Sequence, residues 1–306
     1  KYKTKKIVIL ASGDPLEFGV GSSLVRAYSP SEIRIIPHQS AFSLAASRMC
    51  WPLPDVYKTT LHGRPLDSLN YLIYPNSRIL ILSRDRQTPK QLADHLSSIG
   101  YGKSHLSIFE NLDGDFERKT FVKAQDTIFD EFADLNTIAL ECFADIGAVS
   151  WSRLAGLPEA AYENNGNITK REVRAITLAA LSPLPGQTLW DIGAGTGAIG
   201  IEWLRASAKC EAIAIESNFE KCKLIERNAT KLGVPRLKVF NCVAPEGFPK
   251  FKTIPDAIFI STLSATSKVN SLLSATLLIV PIIPPEVITL SPLLRLDSIS
   301  LCCLTF

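Results

Sequence analysis

Leu189-Trp-Asp-Ile-Gly-Ala-Gly-Thr-Gly-Ala-Ile-Gly200, followed by Ile213-Ala-Ile-Glu216, decides how this chain is read. A short apolar strand runs to the acidic Asp191. Three glycines at every second position, Gly193, Gly195 and Gly197, then let the backbone turn tightly and lie close against a ligand. The pattern predicts a helix from Ala198 to Ala206 and a second strand, Ala212 to Ile215, closed by Glu216. In an open α/β sheet a ligand sits beyond the carboxyl ends of the strands, so the glycines and the acid converge on one nucleoside. Glu216 lies about twenty residues past the last glycines, the separation at which a carboxylate takes ribose hydroxyls.

Two cofactors fit that geometry. Gly195-x-Gly197-x-x-Gly200 matches the dinucleotide fingerprint and points to NAD. Against NAD stands Asp191, because a carboxylate at the mouth of the loop opposes a pyrophosphate on the helix N-terminus. A sulfonium with an α-amino group carries no phosphate and gains from a carboxylate nearby. Asp191-Ile-Gly-Ala-Gly-Thr-Gly197 with Glu216 behind it resembles the first two motifs of the Rossmann-like S-adenosylmethionine methyltransferases.

Composition narrows the class. With 306 residues, 46% hydrophobic and 21% charged, the chain has the make-up of a soluble globular protein of two domains. A net charge of +3, without a Lys/Arg block or interleaved aromatics, gives no support for nucleic-acid binding. Seven cysteines without a C-x-x-C pair, and four scattered histidines, offer no zinc spacing, so no metal is expected. The odd cysteine count and the lack of a signal peptide fit a reducing cytoplasm. Asn167-Ile-Thr and Asn228-Ala-Thr match the glycosylation sequon, which carries no meaning in a cytosolic chain.

Three parts follow along the chain. Residues 1–148 alternate strands (Ile7–Ala11, Ile33–Ile36, Arg78–Leu82, Leu106–Glu110, Thr137–Cys142) with helices (Gly19–Tyr28, one from Ser40, one opening at Thr88-Pro89), a wound α/β pattern. The chain opens directly on a strand without an initiator methionine, as a fragment would. Residues 149–260 begin with the polar linker Pro158–Gly166. Thr169-Lys-Arg-Glu172 then reads as a capping box, ahead of a helix with Val173, Ile176, Thr177, Ala180 and Leu181 on one face. A helix through Leu224–Leu232 and a strand Leu237–Asn241 follow Glu216. From Ser261 to Phe306 only Lys268, Glu286, Arg295 and Asp297 are charged, and amphipathic periodicity disappears. Leu272–Ile283 is apolar, but prolines end it short of the roughly 20 residues a membrane span needs. This aberrant tail is expected to lie outside the sheet, as a frameshifted segment would.

The order of motifs through both parts resembles the bifunctional precorrin-6Y C5,15-methyltransferases (decarboxylating) of corrin-ring synthesis, a family that fuses a tetrapyrrole-methylase domain to a Rossmann-like methyltransferase. The markers are Leu10-Ala-Ser-Gly-Asp-Pro-Leu-Glu-Phe-Gly19, Ile36-Pro-His-Gln-Ser-Ala-Phe-Ser-Leu-Ala-Ala46, Leu61-His-Gly-Arg-Pro65, Leu82-Ser-Arg-Asp85, Phe132-Ala-Asp-Leu-Asn136, Gly156-Leu-Pro158, Ile168-Thr-Lys-Arg-Glu-Val-Arg174 and the glycine loop. The fold class implied is α/β: a partial tetrapyrrole-methylase domain, then an incomplete Rossmann-like methyltransferase domain.

The resemblance implies methylation of precorrin-6B at C5 and C15, with loss of carbon dioxide from an acetate side chain. The N-terminal domain is assigned the C5 step, the C-terminal domain the C15 step and the decarboxylation. S-adenosylmethionine would be held in the C-terminal domain by Thr169, Gly193, Gly195, Thr196, Gly197, Glu216 and Ala244, and in the N-terminal domain by Gly13, Asp14, Ser40 and Ala41. Lys170, Arg171 and Arg174 are candidates for gripping the carboxylates of the anionic tetrapyrrole, set against the bland alternative of a solvated helix face. No residue stands out as the decarboxylation catalyst, no nucleic-acid or membrane partner is expected, and a homo-oligomer is left open. The alternatives are an NAD-binding oxidoreductase and an inactive cofactor- or tetrapyrrole-binding remnant.

Overall fold

The computed structural model describes residues 6–126, 131–244, 254–261, 277–281 and 302–304. The chain divides into two compact units, residues 1–66 with 72–150, and residues 67–71 with 151–306.

In the first unit, α1 (Gly21–Ala27) and α2 (Ala41–Met49) precede β1 (Tyr57–Thr60), β2 (Arg78–Leu82), α3 (Thr88–Ser98), β3 (His105–Glu110), β4 (Arg118–Lys123) and β5 (Asn136–Glu141). Ser40 caps α2 by accepting the Ser43 N–H, and Cys50 ends that helix in the left-handed region. At α3 the capping threonine expected from the sequence is instead the first helical residue. Asp85 Oδ1 accepts the Gln87 and Thr88 N–H groups in its place.

The strands form one sheet in the order β1-β2-β5-β3-β4. Only β1 and β2 run parallel; β5 lies antiparallel between β2 and β3, and β3–β4 is a hairpin. The sheet is therefore mixed where the sequence suggested simple winding. Ile79, Leu80 and Ile81 are all fully buried, as a continuous apolar run in a central strand requires.

Two expected strands do not form. Ile7–Ala11 and Ile33–Ile36 have no ladder partner among the described residues, and Ile7, Val8, Ile9, Leu10 and Ile36 are exposed. Apolar β-branched sequence makes a strand only where a neighbouring edge accepts it. Among the described residues the sheet ends at β1, which pairs with β2 alone.

The second unit contains α4 (Arg171–Leu181), β6 (Thr188–Ile192), α5 (Ala198–Ala206), β7 (Glu211–Glu216), α6 (Phe219–Lys231), β8 (Lys238–Asn241), β9 (Ala257–Ile260), β10 (Leu277–Pro281) and β11 (Cys302–Leu304). The sheet order is β11-β10-β9-β6-β7-β8, with β9, β6, β7 and β8 parallel and β10 and β11 antiparallel. Strand order reverses at β6, whose neighbours β7 and β9 lie on opposite sides. The crevice beyond its carboxyl end is thus the ligand position of this architecture. Leu189, Ala212 and Ala214 from the sheet pack with Ile199, Trp203, Ile225 and Ala229 from the helices in one core.

The tail expected to lie outside the sheet contributes two short strands. Leu277-Leu-Ile-Val280 is an apolar run of strand length, and it pairs with the edge that β9 would otherwise leave open. Residues 262–276 and 282–301, which include most of that tail, lie outside the described residues.

Candidate functional site

β6 ends at Ile192, and the chain turns through Gly193, Gly195 and Gly197 with φ of +71°, +59° and +77°. These are left-handed values at which an L side chain is strained. The Gly193 and Ala194 N–H groups both donate to the Ile215 carbonyl, at 2.9 and 3.2 Å, folding the loop across β7. Gly197 has a further reason to lack a side chain: a Cβ there would lie 2.7 Å from Cγ2 of Ile225 on α6. At Gly195 a Cβ would meet only the Gly193 carbonyl oxygen, 3.9 Å away, so this is the open side of the loop. Thr196 is buried, its carbonyl accepting from Asn228 on α6 at 3.1 Å.

Glu216 reaches the loop from the end of β7. Its Oε2 accepts the Gly195 N–H at 3.0 Å and its Oε1 accepts the Asn218 N–H at 3.0 Å. A carboxylate offers about four acceptor sites, so these bonds fix its orientation and leave capacity for hydroxyl groups. The open face at Gly195 and the remaining acceptor sites of Glu216 fit a nucleoside.

Asp191 is not at the mouth of the loop. It is fully buried beneath it, Oδ2 accepting the Gly200 N–H at 2.9 Å and Oδ1 having no hydrogen-bond partner among the described residues. Burial, chiefly, together with the nearby Glu216 charge, pushes its carboxyl up to about 7. Asp191 opposes a pyrophosphate less by full charge at the entrance than by occupying one of the N-terminal amide donors of α5.

Around α4 the structure corrects the sequence in three respects. Thr169 does not form a capping box: Lys170 is the cap residue, without a side-chain bond, and the Arg171 N–H donates to Glu159 Oε1 at 3.1 Å. The buried face is Arg174, Thr177, Leu178 and Leu181, while Ile176 is 44% exposed.

Arg174, expected to be solvated or to hold substrate, is 0% exposed. Its Nε donates to Glu202 Oε1 on α5 at 2.8 Å, its Nη atoms donate to the Thr169 and Leu157 carbonyls, and it stacks over the Tyr162 ring. Glu202 also accepts the Gly156 and Leu157 N–H groups and the Tyr162 hydroxyl. A buried guanidinium needs such partners, and here they tie the Thr169 backbone to the core. Arg174 is thus unavailable to a substrate. Lys170 and Arg171 remain exposed on the helix start.

Ala244 lies in a turn after β8, partly buried; Pro245 and Glu246 of its motif fall outside the described residues.

In the first unit Gly13, Ser40 and Ala41 come together. Gly13 has φ +68°, and a Cβ on it would lie 3.4 Å from the Gln39 carbonyl oxygen, 3.7 Å from Cα of Ser40 and 3.9 Å from the Ala41 nitrogen. Asp14 turns its Oδ1 to the Leu16 N–H at 2.7 Å, closing the loop locally.

Sequence reasoning missed Asn228 and Glu202. Each carried a signal: a polar residue among apolar helical neighbours, in the stripe Cys222-Ile225-Asn228-Ala229 in one case and in the continuous run Ile201-Glu202-Trp203-Leu204 in the other, must find partners where it is buried. Among the described residues there is no cluster of three or more metal-binding side chains, and no helix is long and apolar enough to cross a membrane.

Residues 1–126 match the family of tetrapyrrole (corrin/porphyrin) methylases, and residues 160–280 match the precorrin methyltransferase domain. A Sinorhizobium protein named precorrin-6Y C(5,15)-methyltransferase (decarboxylating) is 46% identical over 257 residues, which are 83% of this chain and 61% of that protein. A Mycobacterium tuberculosis protein of the same name is 38% identical over 74% of this chain and 56% of its own length. The crystal structure of the C-terminal domain of precorrin-6Y C5,15-methyltransferase from Rhodobacter capsulatus is 36% identical, with a TM-score of 0.34, over 38% of this chain and 61% of that one. The chain spans about three fifths of the length of the curated relatives it matches.

Proposed function

From the premise that this chain joins a tetrapyrrole-methylase domain to a precorrin methyltransferase domain and is related over most of its length to precorrin-6Y C(5,15)-methyltransferases, we propose that it methylates a reduced corrin precursor at two carbon atoms. The division of labour that goes with this reading gives C15 methylation and decarboxylation to the second unit, C5 methylation to the first. The observation that carries it is the meeting of Gly195 and Glu216 at the strand-order reversal, 3.0 Å apart, with open space beside Gly195.

S-adenosylmethionine is the cofactor we assign; when bound it supplies an already activated methyl group. Gly193, Gly195, Thr196 and Gly197 would hold it with Glu216 on the ribose, and Thr169 and Ala244 would complete the pocket. Gly13, Asp14, Ser40 and Ala41 are the counterparts in the first unit. The protein's contribution is then alignment of methyl and nucleophilic carbon, which supplies much of the acceleration in such transfers. The substrate is an anionic tetrapyrrole, and Lys170 and Arg171 are the exposed cations placed beside Thr169 to meet its carboxylates.

Titration calorimetry tests the cofactor. S-adenosylhomocysteine should bind in preference to NAD, and Glu216→Ala should weaken it by about 1.5–3 kcal/mol, the range for hydrogen bonds to a charged group. Binding of NAD without any response to S-adenosylhomocysteine contradicts the assignment. Labelled methyl transfer should reach a reduced precorrin and not RNA.

A further inference from the structure

Asn228 is marked in the sequence only as a glycosylation sequon, yet in the structure it is fully buried on α6. Its Nδ2 donates to the Thr196 carbonyl in the glycine loop at 3.1 Å and to the Glu163 carbonyl at 3.0 Å, and its Oδ1 accepts the Glu163 N–H at 2.7 Å. Three of the four bonds an amide can make are thus used, all to backbone. They join two segments distant in sequence: the glycine loop, and the stretch Pro158–Gly166 that leads to Thr169. That stretch is held again one residue earlier, where the Tyr162 hydroxyl donates to Glu202 at 2.8 Å, and at the side chain of Glu163, which pairs with Arg227 at 2.8 Å. One helical turn before Asn228, Ile225 fills the space opposite Gly197.

We infer that Asn228 is a positioning residue for cofactor binding, holding the glycine loop and the Thr169-bearing segment in the spacing a nucleoside needs. This rests on the assignment of the loop as the cofactor site. The side chain suits the role because an amide donates to both carbonyls and accepts an N–H at once. No charged, hydroxyl or apolar side chain of that size does all three.

The test compares the unsubstituted chain with Asn228→Ala and Asn228→Asp, measuring S-adenosylhomocysteine affinity by calorimetry and unliganded stability by urea titration. Asn228→Ala should weaken affinity about tenfold, as loss of one or two buried hydrogen bonds implies. Asn228→Asp keeps the shape but turns a carboxylate on two carbonyls. Its deficit should be largest near about pH 8 and shrink toward about pH 5.5, as protonation of the new carboxyl restores one donor. Glu163, Glu226 and Arg227 on the α6 side, and Asp191 and Glu216 at the loop, are present in both proteins, so the readout is the ratio of the two affinities at each pH. Hydrogen exchange at the amides of Glu163 and Gly195 should quicken together in either variant. Affinities within twofold of the unsubstituted chain, or an Asn228→Asp deficit that is the same at both pH values, overturn the proposal and leave Asn228 a stabilising residue only. Failure of the unsubstituted chain itself to bind overturns the cofactor assignment, and the proposal with it.

Discussion

The three loop glycines look equivalent on paper and are not. Gly195→Ala meets only backbone strain, of about 1–2 kcal/mol for a left-handed position. Gly197→Ala adds a collision with Ile225 and should cost about 2–4 kcal/mol in urea titrations. Equal losses at the two positions would contradict the packing described. Asp191 adds a pH dependence. Its folded-state pKa of about 7 lies above the unfolded value, so its contribution to stability is complete below the unfolded pKa. It is lost as pH rises through about 7. Between pH 5 and 8 the loss attributable to this group is about 2–3 kcal/mol. Asp191→Asn should flatten that part of the profile; an unchanged slope would assign it to other groups. What the sequence made plain at this scale was the loop and its acid, because left-handed turns demand glycine by type. Which way the Asp191 carboxyl pointed was invisible, since its depth depends on α5 lying over it.

Among the elements, α5, β6 and β7 were legible nearly to the residue, while α4 was displaced in face and cap. Helical periodicity counts apolar residues and therefore cannot place Arg174, a charged side chain whose partner Glu202 lies on another helix. The apolar strip gave Ile176 a core position, whereas Ile176 is exposed and Arg174 is buried. Ile7–Ala11 failed for a related reason, since strand pattern specifies a face but not a neighbour. Because the Arg174–Glu202 pair is buried, removing one partner leaves an uncompensated charge, and Arg174→Met alone should destabilise by about 3–5 kcal/mol. Arg174→Met with Glu202→Leu together should cost less than the sum of the two single changes, read from urea midpoints, yet stay destabilised because the Gly156 and Leu157 N–H groups and the Tyr162 hydroxyl lose their acceptor. A change in substrate affinity at unaltered stability would return Arg174 to the surface role first given to it.

For the molecule as a whole, length and composition led to an expectation of two domains and the ordered motifs gave their character. The strand order of neither sheet could be read, because register and order depend on which edges meet. β10 is the clearest case: a charge-poor segment without periodicity still pairs with β9. If that pairing closes the sheet, hydrogen exchange at residues 277–281 should be slowed toward that of residues 188–192. Exchange as fast as in an unfolded peptide would remove β10 and β11 from the sheet. The buried Arg174–Glu202 contact also has a historical side. Either single change leaves the opposite charge buried and unpaired, which the paired replacement avoids, so substitutions at these two sites should be coupled across 28 positions of sequence. A lineage altering one codon at a time meets a fitness valley there. The two residues should be retained together or exchanged together, even in descendants that have shed the chemistry.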